Sequence, residues 1–398
     1  DLALSNNARW LLTVHENRGA ILCELKTSAP PCRALSPEEE WPSHGNEWIH
    51  SGQPFSPDSR WLVTRRADAL VLYDLETGSL RRLPSRGRFE RTAFSPDSLW
   101  IAVRTSDGIK LWDLRRLDQG IEYEAGTDFA LGRRWLAVPS DPYTVKLWRV
   151  GARNEKPVEL KGCDQRESEV VLSPGERWLV SWNGGGLCLW ALGQSTRPTF
   201  STYSSVDESD PLRPADAAGF RRITFSRKGQ WVVIELPDGR FLQRPVGEGT
   251  FPLARLDKSD GIRLGEHAGL IRLMALSSDD RWLITRGDNE EPLRLLELKP
   301  GTTGAPIEPS RADPREVAIS SYDSYGLSAP AIYQHDGQPL ATSADGLAFR
   351  GHPLPGMPGR VKALSVSPTE KWLAASTDEG HSFLWDLRNL ASLPQRLP

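Results

Sequence analysis

The sequence predicts an all-β fold built from repeated, four-stranded antiparallel units. Two observations carry this prediction. The chain of 398 residues contains 34 glycines, 31 prolines and 15 tryptophans, a composition typical of many turns joining short strands. In addition, the segment Phe-Ser-Pro-Asp-Ser-Arg-Trp-Leu-Val at 55–63 recurs as Phe-Ser-Pro-Asp-Ser-Leu-Trp-Ile-Ala at 94–102. Because self-similarity at a regular spacing is the signature of repeat architectures, this motif decides how the whole chain is organised.

Looser copies of the motif surround further tryptophans. The recurring tryptophans are Trp10, Trp61, Trp100, Trp135, Trp178, Trp231, Trp282 and Trp372. Neighbouring members lie 35 to 53 residues apart, except for the 90 residues between Trp282 and Trp372. We place a degenerate copy in this interval, at residues 318–325, where Tyr325 takes the place of the tryptophan. The sequence therefore predicts nine repeats.

Each copy predicts the same elements in the same order. A short apolar strand ends at Phe-Ser or Leu-Ser, and Pro-Asp-Ser forms the next turn because proline presets φ and the polar side chains bond the local backbone. A second strand follows, as at 61–64, rich in residues that suit a pleated surface. A tight turn such as 106–108 leads to a third strand, whose alternation at 109–114 indicates one buried face. A looser fourth strand completes the unit.

The ends of the third strands resemble the WD40 repeat family. Leu-Trp-Asp-Leu at 111–114 and at 384–387 matches the family pattern fully, and 72–75, 147–150 and 189–192 match it in part. The family's Gly-His element is present at 351–352 and in weaker form at 265–267. The resemblance implies a β-propeller. It also implies a buried network in the last repeat, formed by His352, Asp378, Trp385 and either Ser376 or Thr377.

A four-stranded blade cannot bury both of its faces alone, so blades must stack and the ring must close to remove exposed strand edges. We therefore expect one closed β-propeller over residues 1–398, with nine blades and with eight or seven as alternatives. The chain would begin on an innermost strand and end on an outermost one. The expected blades are 1–50, 51–88, 89–124, 125–162, 163–215, 216–262, 263–310, 311–355 (the degenerate one) and 356–398.

A position filled by tryptophan in every repeat predicts packing between blades more than a ligand cage. The expected structural residues are Trp61, Trp100, Trp112, Trp135, Trp148, Trp178, Trp190, Trp231, Trp282, Trp372 and Trp385. The aspartates of the first turn (Asp58, Asp97 and Asp279) likewise predict turn formation and not a ring of calcium ligands or acids.

Positions at which the repeats differ are free to serve a partner. Four residues after each recurring tryptophan, the second strand enters its hairpin loop on the narrow face of the expected ring. We define the predicted rim as the residues Arg65, Arg66, Arg104, Trp182 and Arg286. Arginine and tryptophan are enriched in interface hot spots, so this face predicts binding of a protein or peptide partner. For any single residue, an ordinary solvated loop position is the alternative.

No chemical motif stands out from the repeats. A nucleophile elbow, HExxH, a P-loop, an EF-hand loop and a dinucleotide fingerprint are all missing, and the seven histidines are dispersed. We expect no catalytic residue, metal or cofactor, and the predicted function is a non-catalytic interaction or sensing scaffold. The resemblance implies the WD40 module of a larger bacterial signalling protein. A propeller enzyme or the propeller of a TolB- or peptidase-like hydrolase is one alternative, and a free-standing assembly scaffold is another.

Charge and cysteine content bear on the partner class and the compartment. The formal net charge of −3 gives no general attraction to nucleic acid or to an anionic membrane, and no run of about 18 apolar residues predicts a membrane span. The chain begins at Asp1 and not at methionine, so we expect an excised or processed domain, monomeric in isolation. Because the cysteines are scattered and lack a CxxC pair, reduced thiols and a cytoplasmic location are expected. The cysteines are Cys23, Cys32, Cys163 and Cys188.

Overall fold

The computed structural model consists of short antiparallel strands joined by turns. It describes residues 2–35, 54–201 and 361–397 with short gaps, and between 222 and 353 it describes the strands and a few adjoining residues. No segment in these parts of the chain forms a helix that is long and apolar enough to cross a bilayer. The predicted all-β class is confirmed.

The first five sheets are meanders in which each strand pairs with the next along the chain. The first sheet contains β1 (Leu2–Leu4), β2 (Trp10–His15), β3 (Gly19–Glu24) and β4 (Cys32–Ala34). The second contains β5 (Trp61–Arg65), β6 (Ala69–Asp74) and β7 (Leu80–Pro84). The third contains β8 (Phe89–Phe94), β9 (Trp100–Thr105), β10 (Gly108–Asp113) and β11 (Ile121–Tyr123). The fourth contains β12 (Ala130–Leu131), β13 (Trp135–Asp141), β14 (Thr144–Arg149) and β15 (Val158–Lys161). The fifth contains β16 (Glu169–Leu172), β17 (Trp178–Asn183), β18 (Gly186–Ala191) and β19 (Phe200–Ser201).

The remaining sheets have two to four strands. The sixth contains β20 (Arg222–Phe225), β21 (Trp231–Glu235) and β22 (Phe241–Pro245). The seventh contains β23 (Ile271–Leu276), β24 (Trp282–Gly287) and β25 (Arg294–Glu297). Two sheets follow, one of β26 (Ile319–Ser320) and β27 (Ala331–Ile332), the other of β28 (Gln334–His335), β29 (Gln338–Ser343), β30 (Gly346–Phe349) and β31 (His352–Pro353). The last sheet contains β32 (Val361–Val366), β33 (Trp372–Thr377), β34 (Ser382–Asp386) and β35 (Gln395–Leu397).

Strand alternation stacks the sheets face to face. On β9, Ile101 and Val103 are buried against the second sheet, where they meet Trp61 and Leu72. Ala102 lies between them and is buried against Leu136 of the fourth sheet. Because successive residues of a strand point to opposite faces, one strand contributes to two separate cores. The four-stranded antiparallel units predicted from the sequence are confirmed in this arrangement.

The first sheet also packs against the last. Strand β1 lies against β32 and β33. Leu11 and Cys23 of the first sheet share one buried cluster with Ala374, Leu384 and Leu397 of the last sheet. Both ends of the described chain are therefore held by a single hydrophobic core. Within the segment 311–355, where one degenerate blade is predicted, the strands form two sheets.

The prediction of reduced cysteines is wrong for Cys23, Cys32 and Cys188. Cys23 on β3 lies opposite Cys32 on β4, and the two form a disulfide. Their pair is flanked by a backbone hydrogen bond from Glu24 to Pro31, so they occupy a non-hydrogen-bonded site, where facing side chains come closest. Cys188 is disulfide-bonded as well, and Cys163 lies outside the described residues. The register of the β3–β4 hairpin, which the spacing of the cysteines does not reveal, makes the first bond possible.

Candidate functional site

Three residues of the predicted rim occupy the same place in their sheets. Arg65, Arg104 and Trp182 pair with Leu70, Ile109 and Leu187, in each case at the loop end of the hairpin between the second and third strands. Arg286 lies on β24, next to its last residue. The side chains of Arg65 and Arg286, and all of Arg66, lie outside the described part of the structure.

The structure describes two side chains of the rim, Trp182 and Arg104, and neither is freely available to a partner. Trp182 is only 9% exposed, and the residues before it on β17 are buried on both faces of the strand, so little of its ring is available to a partner. The Arg104 side chain is 18% exposed, and its Nε lies 3.0 Å from Oε2 of Glu90. Partner binding at this rim stays a prediction for Arg65, Arg66 and Arg286.

At the opposite end of the second strand, a buried serine fixes each turn. Its hydroxyl oxygen accepts a hydrogen bond from the backbone N–H of the recurring tryptophan five residues later. The pairs are Ser5–Trp10 (2.9 Å), Ser56–Trp61 (2.9 Å), Ser95–Trp100 (3.0 Å), Ser173–Trp178 (3.1 Å) and Ser367–Trp372 (3.0 Å). The serine thus satisfies a buried backbone donor that would otherwise cost free energy.

The turn aspartates complete the same network. The Ser56 hydroxyl donates to Oδ1 of Asp58 at 2.5 Å, and the same oxygen accepts the backbone N–H of Arg60 at 3.1 Å. Asp97 is held identically by Ser95 and the N–H of Leu99. These contacts assign Asp58 and Asp97 to turn formation, and Asp279 lies outside the described residues. Among the described residues, no group of three or more His, Cys, Asp or Glu side chains could hold a metal ion.

The turns also touch from sheet to sheet. The backbone N–H of Asn7 donates to the hydroxyl of Ser59 at 2.9 Å, and the N–H of Asp58 donates to the hydroxyl of Ser98 at 2.9 Å. In the fifth sheet, Glu176 occupies the corresponding position and accepts the backbone N–H of Arg134 at 3.0 Å. Ser59, Ser98 and Glu176 have φ of 64°, 59° and 53°, a left-handed conformation that is unusual for such residues. These contacts place the turns of neighbouring sheets on one common face, which we call the turn face.

An arginine lies over the recurring tryptophan on this face. The guanidinium carbon is 5.1 to 5.7 Å from the ring centroid, within the range of a cation–π contact. The pairs are Arg9–Trp10, Arg60–Trp61, Arg115–Trp100, Arg149–Trp135 and Arg388–Trp372. The arginine comes from three sequence positions: before the tryptophan, two residues after the aspartate of Trp-Asp, or at that aspartate position itself. The same arginine–tryptophan contact thus arises from different positions in the repeat.

In four of these sheets an acid neutralises the arginine. Arg9 pairs with Glu24 at 2.6 Å, Arg60 with Asp74 at 2.8 Å, Arg115 with Asp113 at 2.6 Å and Arg388 with Asp386 at 2.5 Å. The hydrogen bonds from Arg115 and Arg388 lower the pKa of Asp113 and Asp386 below the ordinary aspartate value. At Asp74, burial raises the pKa, but hydrogen bonds from Arg60 and the local backbone outweigh it, and the pKa is lowered. The three aspartates are therefore ionised at neutral pH.

The fourth sheet departs from this pattern. Arg149 lies opposite Trp135, at the position that Asp113 occupies opposite Trp100. Its sheet therefore has an arginine in place of the acid, and no ion pair of Arg149 occurs among the described residues. Arg134, which precedes the tryptophan, instead pairs with Glu176 of the fifth sheet at 3.0 Å. The turn face consequently has more positive charge at the fourth sheet than elsewhere in the described chain.

The hydrogen-bonded network implied for the last repeat is only partly within the described structure. Trp385 is 1% exposed, and Ser376 and Thr377 are buried. The Ser376 hydroxyl has no hydrogen-bond partner within 3.5 Å among the described atoms. Asp378 and the side chain of His352 lie outside the described residues, so the network stays a prediction.

Comparison with known proteins connects this geometry to a fold. Residues 346–386 match the WD40 family model (WD domain, G-beta repeat). The crystal structure of the C-terminal WD40 domain of Sif2 superposes with a TM-score of 0.53 at 12% identity, covering 94% of this chain and 92% of that one. The chain shares the fold of WD40 β-propellers. No curated protein matches it in a sequence comparison.

Two further solved structures are similar at lower TM-scores. The β-propeller domain of Cps50 (Swd1) from Myceliophteria thermophila has a TM-score of 0.46 at 13% identity and covers 83% of this chain and 95% of that one. Hydrazine synthase from Kuenenia stuttgartiensis has a TM-score of 0.44 at 16% identity and covers 83% and 94%. Of the three, only the Sif2 domain exceeds 0.5, and at 12% identity it shows the WD40 fold alone.

The described tryptophans of the second and third strands are buried to different extents. Trp112 and Trp190 of the third strands are at most 1% exposed, and Trp61 and Trp178 of the second strands are 6% and 5% exposed. Trp148 is 8% exposed. Trp100, Trp135 and Trp372 are half-buried at the turn face, where an arginine covers each ring. The side chains of Trp231 and Trp282 lie outside the described residues.

Proposed function

We propose that this chain is a non-catalytic scaffold that binds a protein or peptide partner through loops of a closed, nine-bladed WD40 propeller. The observation that carries the proposal is the stacking of the sheets. On β9, residues on both faces of the strand are buried between neighbouring sheets, so the hairpin loops and turns at the two ends of the sheets are left for contacts with other molecules. Packing of the first sheet on the last supports closure. Rigid elements that present exposed loops are the usual basis of protein recognition.

The narrow-face rim remains the proposed contact surface, now reduced to Arg65, Arg66 and Arg286. In this proposal the chain is the monomeric interaction module of a larger bacterial signalling protein, and it needs neither a cofactor nor a metal. Nucleic acid and membranes are not proposed as partners because a formal net charge of −3 provides no general attraction to a polyanion.

The disulfides favour a different compartment from the one that the sequence predicts. The cytoplasmic prediction rested on reduced thiols, whereas Cys23 and Cys32 are bonded to each other and Cys188 is also disulfide-bonded. Stable disulfides are rare in reducing compartments. We therefore propose an oxidising compartment, and recovery of Cys23 and Cys32 as free thiols from the protein's native location would contradict it.

The rim is tested by replacing Arg65, Arg66 and Arg286 with alanine together. We expect partner capture from a lysate of the source cells, quantified by mass spectrometry, to fall about tenfold, since arginines at interfaces are frequent hot spots. Because the proposal places these three side chains in solvent, the melting temperature should barely change. The matched control replaces Arg33, Arg81 and Arg82, which are exposed on the outer strands β4 and β7. Equal capture by the rim variant and the wild type would show that the proposed face is wrong.

A further inference from the structure

The turn face of the third and fourth sheets has a cluster of exposed arginines that the narrow-face proposal does not use. We define the arginine surface as Arg115, Arg116, Arg133, Arg134 and Arg149, all of them exposed. We infer that this surface binds an acidic segment of a partner protein, a stretch rich in aspartate and glutamate. The inference concerns the end of the propeller opposite the rim and does not depend on the rim.

Direct contacts show that the arginine surface is continuous across the two sheets. Arg115 lies over the ring of Trp100, and Gly151 of the fourth sheet packs so closely on that ring that an added Cβ would lie 2.5 Å from it. Arg149 precedes Gly151 by two residues and lies over Trp135. The backbone N–H of Val150 donates to the carbonyl of Arg134 at 2.8 Å. The five arginines therefore share one patch and are not scattered over the protein.

The members of the patch differ in whether the described part of the structure gives them an ion-pair partner. Arg115 is neutralised by Asp113 and Arg134 by Glu176. Arg116, Arg133 and Arg149 form no ion pair with the described residues. In the first, second, third and last sheets, the arginine over the tryptophan has its own acid, so the unpaired Arg149 is a departure from the scaffold pattern. Residues that depart from a repeated structural pattern are the ones available for recognition.

The chemistry of the patch favours carboxylates on a protein segment. A guanidinium binds a carboxylate or a phosphate in a bidentate manner, so charge alone fits either kind of anion. Single-stranded nucleic acids also require exposed aromatic rings on which bases stack. Here the rings of Trp100 and Trp135 are half-buried and covered by Arg115 and Arg149.

The test measures fluorescence anisotropy of a labelled peptide rich in aspartate and glutamate, added to the full chain at low salt. The matched probe has asparagine and glutamine at the same positions, and a single-stranded oligonucleotide of equal charge is the third probe. We expect the acidic peptide to bind most tightly and its affinity to fall as salt is raised, because screening weakens exposed charge pairs.

The variant Arg116→Ser/Arg133→Ser/Arg149→Ser should bind the acidic peptide at least about tenfold more weakly, because three charges that contact the peptide are removed together. Its matched control, Arg33→Ser/Arg81→Ser/Arg82→Ser, removes the same charge from the outer strands and should bind like the wild type. The rim variant should also bind normally, which separates this inference from the proposed function. If exposure of Trp135 unfolds the triple variant, Arg116→Ser/Arg133→Ser, which uncovers no ring, carries the test.

Three results would overturn the inference. The first is equal binding of the acidic and the amide peptide, or no binding of either. The second is a loss of affinity for the acidic peptide in the outer-strand control that is as large as the loss in the surface variant. The third is tighter binding of the oligonucleotide than of the acidic peptide, which would assign the arginine surface to nucleic acid.

Discussion

Asp128 shows how one carboxylate can join three consecutive sheets. It lies just before β12 of the fourth sheet, and its side chain is 11% exposed. Oδ1 accepts a hydrogen bond from Arg91 on β8 of the third sheet, and Oδ2 accepts the backbone N–H of Val170 on β16 of the fifth at 3.1 Å. Arg91 also donates to the carbonyl of Phe129 at 2.9 Å. No motif around Asp128 indicates this role, because its partners lie 37 and 42 residues away in the sequence.

Replacing Asp128 with alanine should lower the free energy of unfolding by about 3 kcal/mol, because the change leaves a buried N–H and a half-buried guanidinium without their acceptor. Asp128→Asn keeps one acceptor oxygen and should cost about half as much. Chemical denaturation measures both values. The control Asp107→Ala, at an exposed hairpin turn, should stay within about 0.5 kcal/mol of the wild type. An equally small change for Asp128→Ala would refute the bridging role.

At the scale of the strand and its turns, the same contact is built from different residues. Ser59, Ser98 and Glu176 each accept a backbone N–H from the preceding sheet. The arginine over the tryptophan likewise comes from different strands, since Arg60 precedes β5 and Arg115 follows β10. The turn face is therefore more regular than the sequence repeat indicates. The repeat requires the same residue at the same position, whereas the fold requires only that some suitable group reach the tryptophan ring or the backbone N–H.

The β3–β4 hairpin provides a prediction at this scale. Its disulfide closes a loop between cysteines nine residues apart, and such short loops stabilise a fold by about 2–3 kcal/mol through the unfolded state. Cys23→Ala/Cys32→Ala should therefore melt below the wild type when no reductant is present. Reductant should lower the melting temperature of the wild type more than that of the variant. If wild type and variant melt together under oxidising conditions, the hairpin is not cross-linked.

At the scale of the whole molecule, the first and last sheets are held by one core. Leu11 on β2 and Leu384 on β34 are 0% and 2% exposed and belong to the same cluster, although 373 positions separate them along the chain (384 − 11). Without this contact, the apolar side chains of the cluster would be exposed to water on two sheet faces, so their mutual burial is favourable.

A double-mutant cycle tests the closure. Leu11→Ala and Leu384→Ala should each cost about 2–5 kcal/mol as large-to-small changes in a core. Because they share a cluster, their combined cost should differ from the sum by about 0.5 kcal/mol or more. The control pair is Leu384→Ala with Leu136→Ala, a residue buried between the third and fourth sheets, and it should be additive. Additivity in both pairs would argue against contact between the first and last sheets.

More of the fold than of the candidate site could be predicted from the sequence. The recurring tryptophans and the alternation of strands such as 109–114 predict antiparallel sheets because both depend on local spacing. Alternation does not predict the burial of Trp182, because the residues before it on β17 are buried on both faces of the strand. Nor does it predict that Glu90 on the neighbouring strand pairs with Arg104. Such partners depend on register, and one extra residue at the irregularity between Phe89 and Arg91 shifts it.

The sequence by itself determined the all-β class, the repeated four-stranded unit and the turn role of Asp58 and Asp97, because each follows from residues within a few positions of one another. Only the tertiary structure decided the Cys23–Cys32 bond, the joining of three sheets by Asp128 and the position of Arg149 over Trp135 on the turn face. Each of these depends on which strands lie side by side and in what register. Local patterns specify which elements form, whereas charge pairing and covalent cross-links depend on where the chain brings distant elements together.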